Sequence, residues 1–192
     1  MNIQDEDQFE DITINDCDLI EINARYVVFR NVTFENVRFM DVNLEHVDFI
    51  HTTFINCDLS NINLEESVLH YCEFKNCKLI GTHMGEASTR EVEFEGCHCD
   101  YMMLGGSDLR DVSFSQCKLN QSGFSVCKIK SVRFNECEMK RVDFSGTKLK
   151  GVDLSTCDIE GINVKLEDLR GIKVTPIQAV EFSKMLGVVV VE

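Results

Sequence analysis

A chain of 192 residues with 33 acidic and 19 basic side chains has a formal charge of −14, which argues against direct binding to nucleic acid or to an anionic membrane. Hydrophobic residues make up 44%, enough for one packed domain, and no apolar run approaches a membrane span. Ten cysteines accompany one proline and no tryptophan, so the thiols are the first feature to explain.

The opening "MNIQDEDQFEDI" is acidic and unlike a secretory signal. A cytoplasmic protein with reduced thiols is the expectation. Residues 1–8 read as a lead-in, because Asp7 occupies a slot that small residues fill afterwards.

From Phe9 to Val174 a large apolar residue recurs every fifth position without insertion or deletion, as in Phe29, Phe34, Phe39, Leu44, Phe49 and Phe54. Two residues before each stands a smaller one: Val27, Val32, Val37, Val42, Val47, Thr52, Cys57. Nine of the ten cysteines hold that slot, and Cys99 alone is central. Residues two apart face the same way in an extended chain, so the small and large residues point inward and the next two turn a corner. A period of five fits neither a helix nor a plain strand; it fits a coil of short extended sides.

Longer spacings count those sides. Phe34, Phe54, Phe74, Phe94, Phe114 and Phe134 are 20 apart, and Cys17, Cys57, Cys77, Cys97, Cys117, Cys137 and Cys157 differ by multiples of 20. Twenty residues per turn means four sides, so residues 9–174 are expected to form an all-β solenoid, a quadrilateral β-helix of about eight coils. The cysteines then read as buried compact fillers. A column does not converge on a metal as a zinc site requires. All five histidines, His46, His51, His70, His83 and His98, fall at outward positions. His51, His70 and Tyr71 occupy neighbouring columns. No metal, cofactor or catalytic residue is assigned, and a rod filled by stacked side chains offers no concave pocket for an enzyme.

Residues 85–106 depart from the pattern, with Thr89 and Cys99 central and Gly105-Gly106 at the end. A local irregularity or bend is expected there. Glu167 stands in a small slot, so the coil is expected to loosen by that point. Residues 175–192 read as a helix and strand: Thr175 caps, Pro176 suits the first helical position, Gln178 completes a capping box and Gly187 suits the stop. Ile177, Val180, Phe182, Met185, Leu186, Val188 and Val190 are candidates for a dimer interface. The alternative is a cap folded on its own rod.

Stretches such as "CDLSN" (57–61), "INLEE" (62–66), "VDFSG" (142–146) and "VDLST" (152–156) resemble the consensus of the pentapeptide-repeat family. That resemblance implies a right-handed β-helix. In size, acidity and C-terminal tail the chain is most similar to the family's quinolone-resistance group, which implies a DNA-mimicking homodimer that binds DNA gyrase or topoisomerase IV and protects it from fluoroquinolones. Some members of that group carry loop insertions; this chain has none. The alternative is a structural or scaffolding rod with an unassigned protein partner.

Residues 1–100 hold 21 acidic and 6 basic side chains, whereas residues 101–192 hold 12 and 13. Glu21, Asp41, Glu45, Asp48, Glu65, Glu66 and Glu86 are expected to gather along one corner and its adjoining face as a partner-binding stripe. A second column, Arg90, Arg110, Lys130, Lys150 and Arg170, is basic. It reads as relieved by Glu91, Asp111 and solvent, the alternative being contact with nucleic acid or an acidic partner.

Overall fold

A computed structural model describes residues 2–191. Its strands are short: β1 Gln8–Glu10, β2 Thr13–Asn15, β3 Asp18–Ile20, β4 Val28–Arg30, β5 Thr33–Glu35, β6 Arg38–Met40, β7 Asp48–Ile50 and β8 Thr53–Ile55. Longer ones follow in β9 Val68–Lys75, β10 Ser88–Glu95 and β11 Asp108–Ser115, and two short ones, β12 Lys128–Lys130 and β13 Arg133–Asn135, close the series. Every pairing is parallel and every register step is 20 residues: Phe9 faces Phe29, which faces Phe49, and Phe54, Phe74, Phe94, Phe114 and Phe134 follow one another. The chain is therefore a four-sided all-β solenoid, as its spacing predicts.

The ladder β1-β4-β7-β9-β10-β11-β12 stacks seven strands across six turns, fewer than the eight coils expected. Beyond β12 the winding continues through isolated bridges such as Asp143 with Asn163 and Asp153 with Lys173. A short 3₁₀ turn, Leu166–Leu169, interrupts the last coil, and helix α1, Pro176–Lys184, follows. Thr175 Oγ1 accepts from the Gln178 amide at 3.2 Å and the Gln178 side chain accepts from the Thr175 amide at 2.8 Å, which is the anticipated capping box. Val188–Val191 form no strand, unlike the strand expected there.

The inward pattern is realised throughout. Phe29, Phe34, Phe49, Phe54, Phe74, Phe114, Phe124 and Phe144 are fully buried. Along one column Phe34, Phe54, Phe74 and Phe94 stack with centroids 4.6–4.9 Å apart, set by the spacing of neighbouring strands. The cysteines are free thiols, nine of them buried. They do more than fill space. Cys57, Cys77, Cys97, Cys117 and Cys137 each donate to the carbonyl of the central phenylalanine 23 residues earlier, at 3.3–3.4 Å. Thr52, Thr82, Ser107 and Thr147 use hydroxyls in the same way. The small slot thus takes compact residues, and where it holds cysteine, threonine or serine the side chain commonly donates as well, which ties that coil to the previous one.

The outward positions have their own rule. Asp58, Asn63, Asp143 and Asp153 accept from the amide two residues on, at 3.0–3.1 Å; these local bonds start the corner, as Asp and Asn do in turns. The corner residue itself takes the left-handed conformation almost without exception, as at Glu21 (φ 53°), His46 (φ 57°), Asn61 (φ 58°), Val126 (φ 56°) and Arg141 (φ 55°).

Residues 85–106 show no bend. β10 runs through the region with both neighbours in unbroken register. Cys99 and Met102 are both fully buried: a small central residue is offset by a large one in the small slot, so volume is conserved.

Candidate interaction surfaces

Four sides are defined by residues 42–46, 47–51, 52–56 and 57–61 and by their equivalents 20 apart, here sides 1 to 4. Glu45, Glu65, Glu66 and Glu86 lie on side 1, Glu21 and Asp41 lie at its corner with side 4, and Asp48 lies on side 2. Glu21, Asp41, Glu65, Glu66 and Glu86 are exposed, whereas Glu45 and Asp48 are half-buried. Glu45 is bound by Arg25 at 2.8 Å and accepts from Asn63 at 3.2 Å. Partial burial pushes the Asp48 carboxyl above the ordinary carboxylate range, and His70 and Arg30 oppose that shift. His46 stacks on Tyr26 at 4.8 Å and approaches Glu66 at 3.5 Å.

The seven carboxylates are neighbours, but they are no isolated stripe. Of the 21 acidic side chains in residues 1–100, sides 1 to 4 carry six, five, five and five. Negative charge therefore wraps this half of the rod. The reason is the coil itself: every side offers the same outward slots, and most of them are polar.

The basic column is brought into register, with Arg90, Arg110 and Lys130 on adjacent strands. Its relief differs from expectation. Arg90 approaches Glu91 at 3.8 Å, but Arg110 is held by Asp108, two residues earlier, through bonds of 3.0 and 2.6 Å. Arg110 in turn holds the Asp108 carboxyl below its usual range. Lys130, Lys150 and Arg170 have no ion pair among the described residues.

The histidine cluster forms as positioned by the coil: His51 stacks on Tyr71 at 4.6 Å, and His70 meets Tyr71 edge-on at 6.4 Å. His51 and Tyr71 border an open groove of about 410 Å³ with Glu73, Glu91, Glu93, Asp111 and Arg133. Among the described residues, no group of three His, Cys, Asp or Glu side chains could hold a metal ion. No described helix is long and apolar enough to cross a membrane.

At the C-terminus the dimer candidates divide. Phe182 packs back on the core of its own rod. Ile177 is 82% exposed and Leu186 65%, and Val180, Met185, Val188 and Val190 are also exposed. Gln178 fixes the helix to the rod by donating to the Leu154 and Cys157 carbonyls, both at 2.8 Å.

The family model described as "Pentapeptide repeat region" matches residues 27–104, 48–124 and 107–183. The chain belongs to the pentapeptide-repeat family. Among solved structures it is similar to a trypsin-treated variant of QnrB1, described as a plasmid-mediated fluoroquinolone resistance protein. Identity is 16%, the TM-score is 0.54, and the match covers 96% of this chain and 100% of that one. It is also similar to HetL from the cyanobacterium Nostoc sp. strain PCC 7120, a pentapeptide-repeat protein involved in heterocyst differentiation regulation. There identity is 15%, the TM-score is 0.50, and coverage is 88% and 87%. At these identities the likeness is one of fold. No protein of curated function matches the sequence.

Proposed function

We propose that this pentapeptide-repeat protein is a non-enzymatic DNA mimic, which binds DNA gyrase or topoisomerase IV at the surface that normally holds DNA and relieves inhibition by fluoroquinolones. The observation that carries the reading is linear charge density. Residues 1–100 hold 21 acidic and 6 basic side chains wound in five coils. At about 4.8 Å per coil that is roughly one net negative charge per 1.6 Å of rod. Duplex DNA carries one per about 1.7 Å. Charge that surrounds the rod, rather than marking one corner, strengthens the likeness, since a cationic channel meets the duplex from several directions. The complementary field steers the encounter and makes it sensitive to salt. Glu21, Asp41, Glu65, Glu66 and Glu86 are the exposed carboxylates assigned to the contact. Similarity of fold to QnrB1, a fluoroquinolone resistance protein by its description, supports the same reading.

The C-terminal segment is assigned to a homodimer. Ile177, Leu186 and the valines Val188 to Val191 leave an apolar surface uncovered on the single chain, and a twofold contact covers it with the same surface of a second copy. The acidic halves then become distal arms.

A gyrase supercoiling assay with and without a fluoroquinolone, repeated over a salt series, tests the reading. Rescue at low protein that fades with added salt and with Glu65→Gln/Glu66→Gln/Glu86→Gln is the expected result. No effect at any concentration leaves a scaffolding rod with another partner. Sedimentation of Ile177→Asp/Leu186→Asp tests the dimer, which should dissociate.

A further inference from the structure

The outward columns treat like charge in two ways. On side 4 the signs alternate from coil to coil through Asp18, Arg38, Asp58 and Lys78, and bridges hold the last three in register. Arg38 binds Asp18 at 2.6 Å and Lys78 reaches Asp58 at 3.9 Å. On side 2 the C-terminal coils do the reverse. Lys128 and Lys130 stand on β12, Lys148 and Lys150 repeat them one coil later, and Arg170 continues the column. Residues 127–131 and 147–151 contain no carboxylate. All five cations are exposed, and none has an ion pair among the described residues. Stacked like charges are destabilising, so this grid persists against a cost that the alternating column avoids.

We infer that side 2 of the C-terminal coils is a docking face for the phosphodiester backbone of duplex DNA. The net charge of the chain conceals it, because the negative excess lies entirely in residues 1–100. Screening acts over about 8 Å at physiological ionic strength, which is less than two coils. The grid presents point charges about 4.8 Å apart along the rod and two residues apart along the strand. Lysine suits phosphate as a point charge. The corners along one flank are Ser131, Gly151 and Gly171, so on that flank no bulky side chain holds a backbone away; the opposite flank carries Val126, Gly146 and Leu166, with Val126 and Leu166 exposed. Arg170 and Lys150 border a shallow groove of about 400 Å³ at its end, with Glu167 and Asp168 as the limiting carboxylates.

The chemistry also narrows the partner. No aromatic residue lies at 107–111, 127–131, 147–151 or 167–171, so the face lacks the stacking platform that single strands require. Between its corners it exposes no large apolar residue, whereas protein interfaces are centred on such residues and depleted in lysine. Recognition is therefore of the duplex backbone and independent of sequence. The inference stands apart from the topoisomerase reading and survives or fails without it.

Fluorescence anisotropy with a short labelled duplex and the full chain tests it. Five released counterions give a slope of log K against log salt of about −4.5. That is a loss of roughly 500-fold between about 50 and 200 mM salt. Each lysine replaced by glutamine lowers the slope by about one, so Lys128→Gln/Lys130→Gln/Lys148→Gln/Lys150→Gln should leave about −1 with the melting curve retained. Glu65→Gln/Glu66→Gln, on another side, should leave the slope unchanged. Absence of binding at about 50 mM salt overturns the inference, as does a slope unaffected by the four-lysine variant. If the four-lysine variant instead abolishes self-association in sedimentation and leaves duplex binding intact, the face is a contact between copies and the inference is wrong.

Discussion

Among the described residues, Val126 is the one β-branched residue at a left-handed corner, with φ 56° and 68% exposure. For an L-residue that conformation costs about 1–2 kcal/mol, and for a β-branched side chain it is an outlier. Little offsets the cost. The side chain is mostly in solvent, and the same corner one coil before and after is glycine, at Gly106 (φ 78°) and Gly146 (φ 73°). Val126→Asn should therefore stabilise the protein by about 1 kcal/mol, because asparagine tolerates this region. Val126→Gly should gain less, about 0.5 kcal/mol, since glycine loses more freedom on folding. The midpoint of urea unfolding at unchanged m value measures the difference. In thermal unfolding it corresponds to a rise of about 2–4 °C for a chain of this size. Asn61→Val, at φ 58°, is the mirror control and should lose about 1 kcal/mol. If Val126→Asn leaves the midpoint unmoved or lowers it, corner conformation is not a significant term in the stability of this coil.

Phe74→Ala, in the middle of the stacked column at 4.6 and 4.7 Å from its neighbours, should cost about 3–5 kcal/mol. It should also separate the unfolding of the two halves, seen as a second transition by calorimetry. Thr175→Ala removes the capping box at a local cost of about 1 kcal/mol. Hydrogen exchange at residues 176–184 should rise while the coils stay protected, and Gln178→Ala should do more because it also frees the Leu154 and Cys157 carbonyls. Burial pushes the Cys72 thiol up to about 12 and Cys127 up to about 11. A raised thiol favours the neutral form in the fold, so its contribution is complete below the unfolded value of about 8.5 and is lost as pH rises through the folded value. Under reducing conditions urea midpoints should fall between about pH 8.5 and 12, and less steeply in Cys72→Val. A flat profile would assign the thiols no role in alkaline unfolding.

The coil was legible because its period is strict. A phenylalanine every 20 residues locates the stack, and Thr175, Pro176 and Gln178 spell the helix start letter by letter. What stayed hidden depends on side-chain direction. The left-handed corners are occupied by Glu, Tyr, His and Arg as readily as by Gly, so residue type gives no warning of them. The donor role of the cysteines needs the distance from Cys97 Sγ to the Phe74 carbonyl, 3.3 Å, and no spacing rule supplies it. The irregular appearance of residues 85–106 misleads because volume is balanced between Cys99 and Met102 across two sides of the coil. The spread of acidic charge is hidden for a related reason: Glu65, Glu66 and Glu86 are neighbours, but the same outward slots recur on the other three sides.

Because each turn is fastened only to the one before and the one after, tension applied at the two chain ends has no shortcut through the rod. Pulling should unwind it from an extremity, releasing 20 residues per event in a regular sawtooth, much as thread leaves a bobbin.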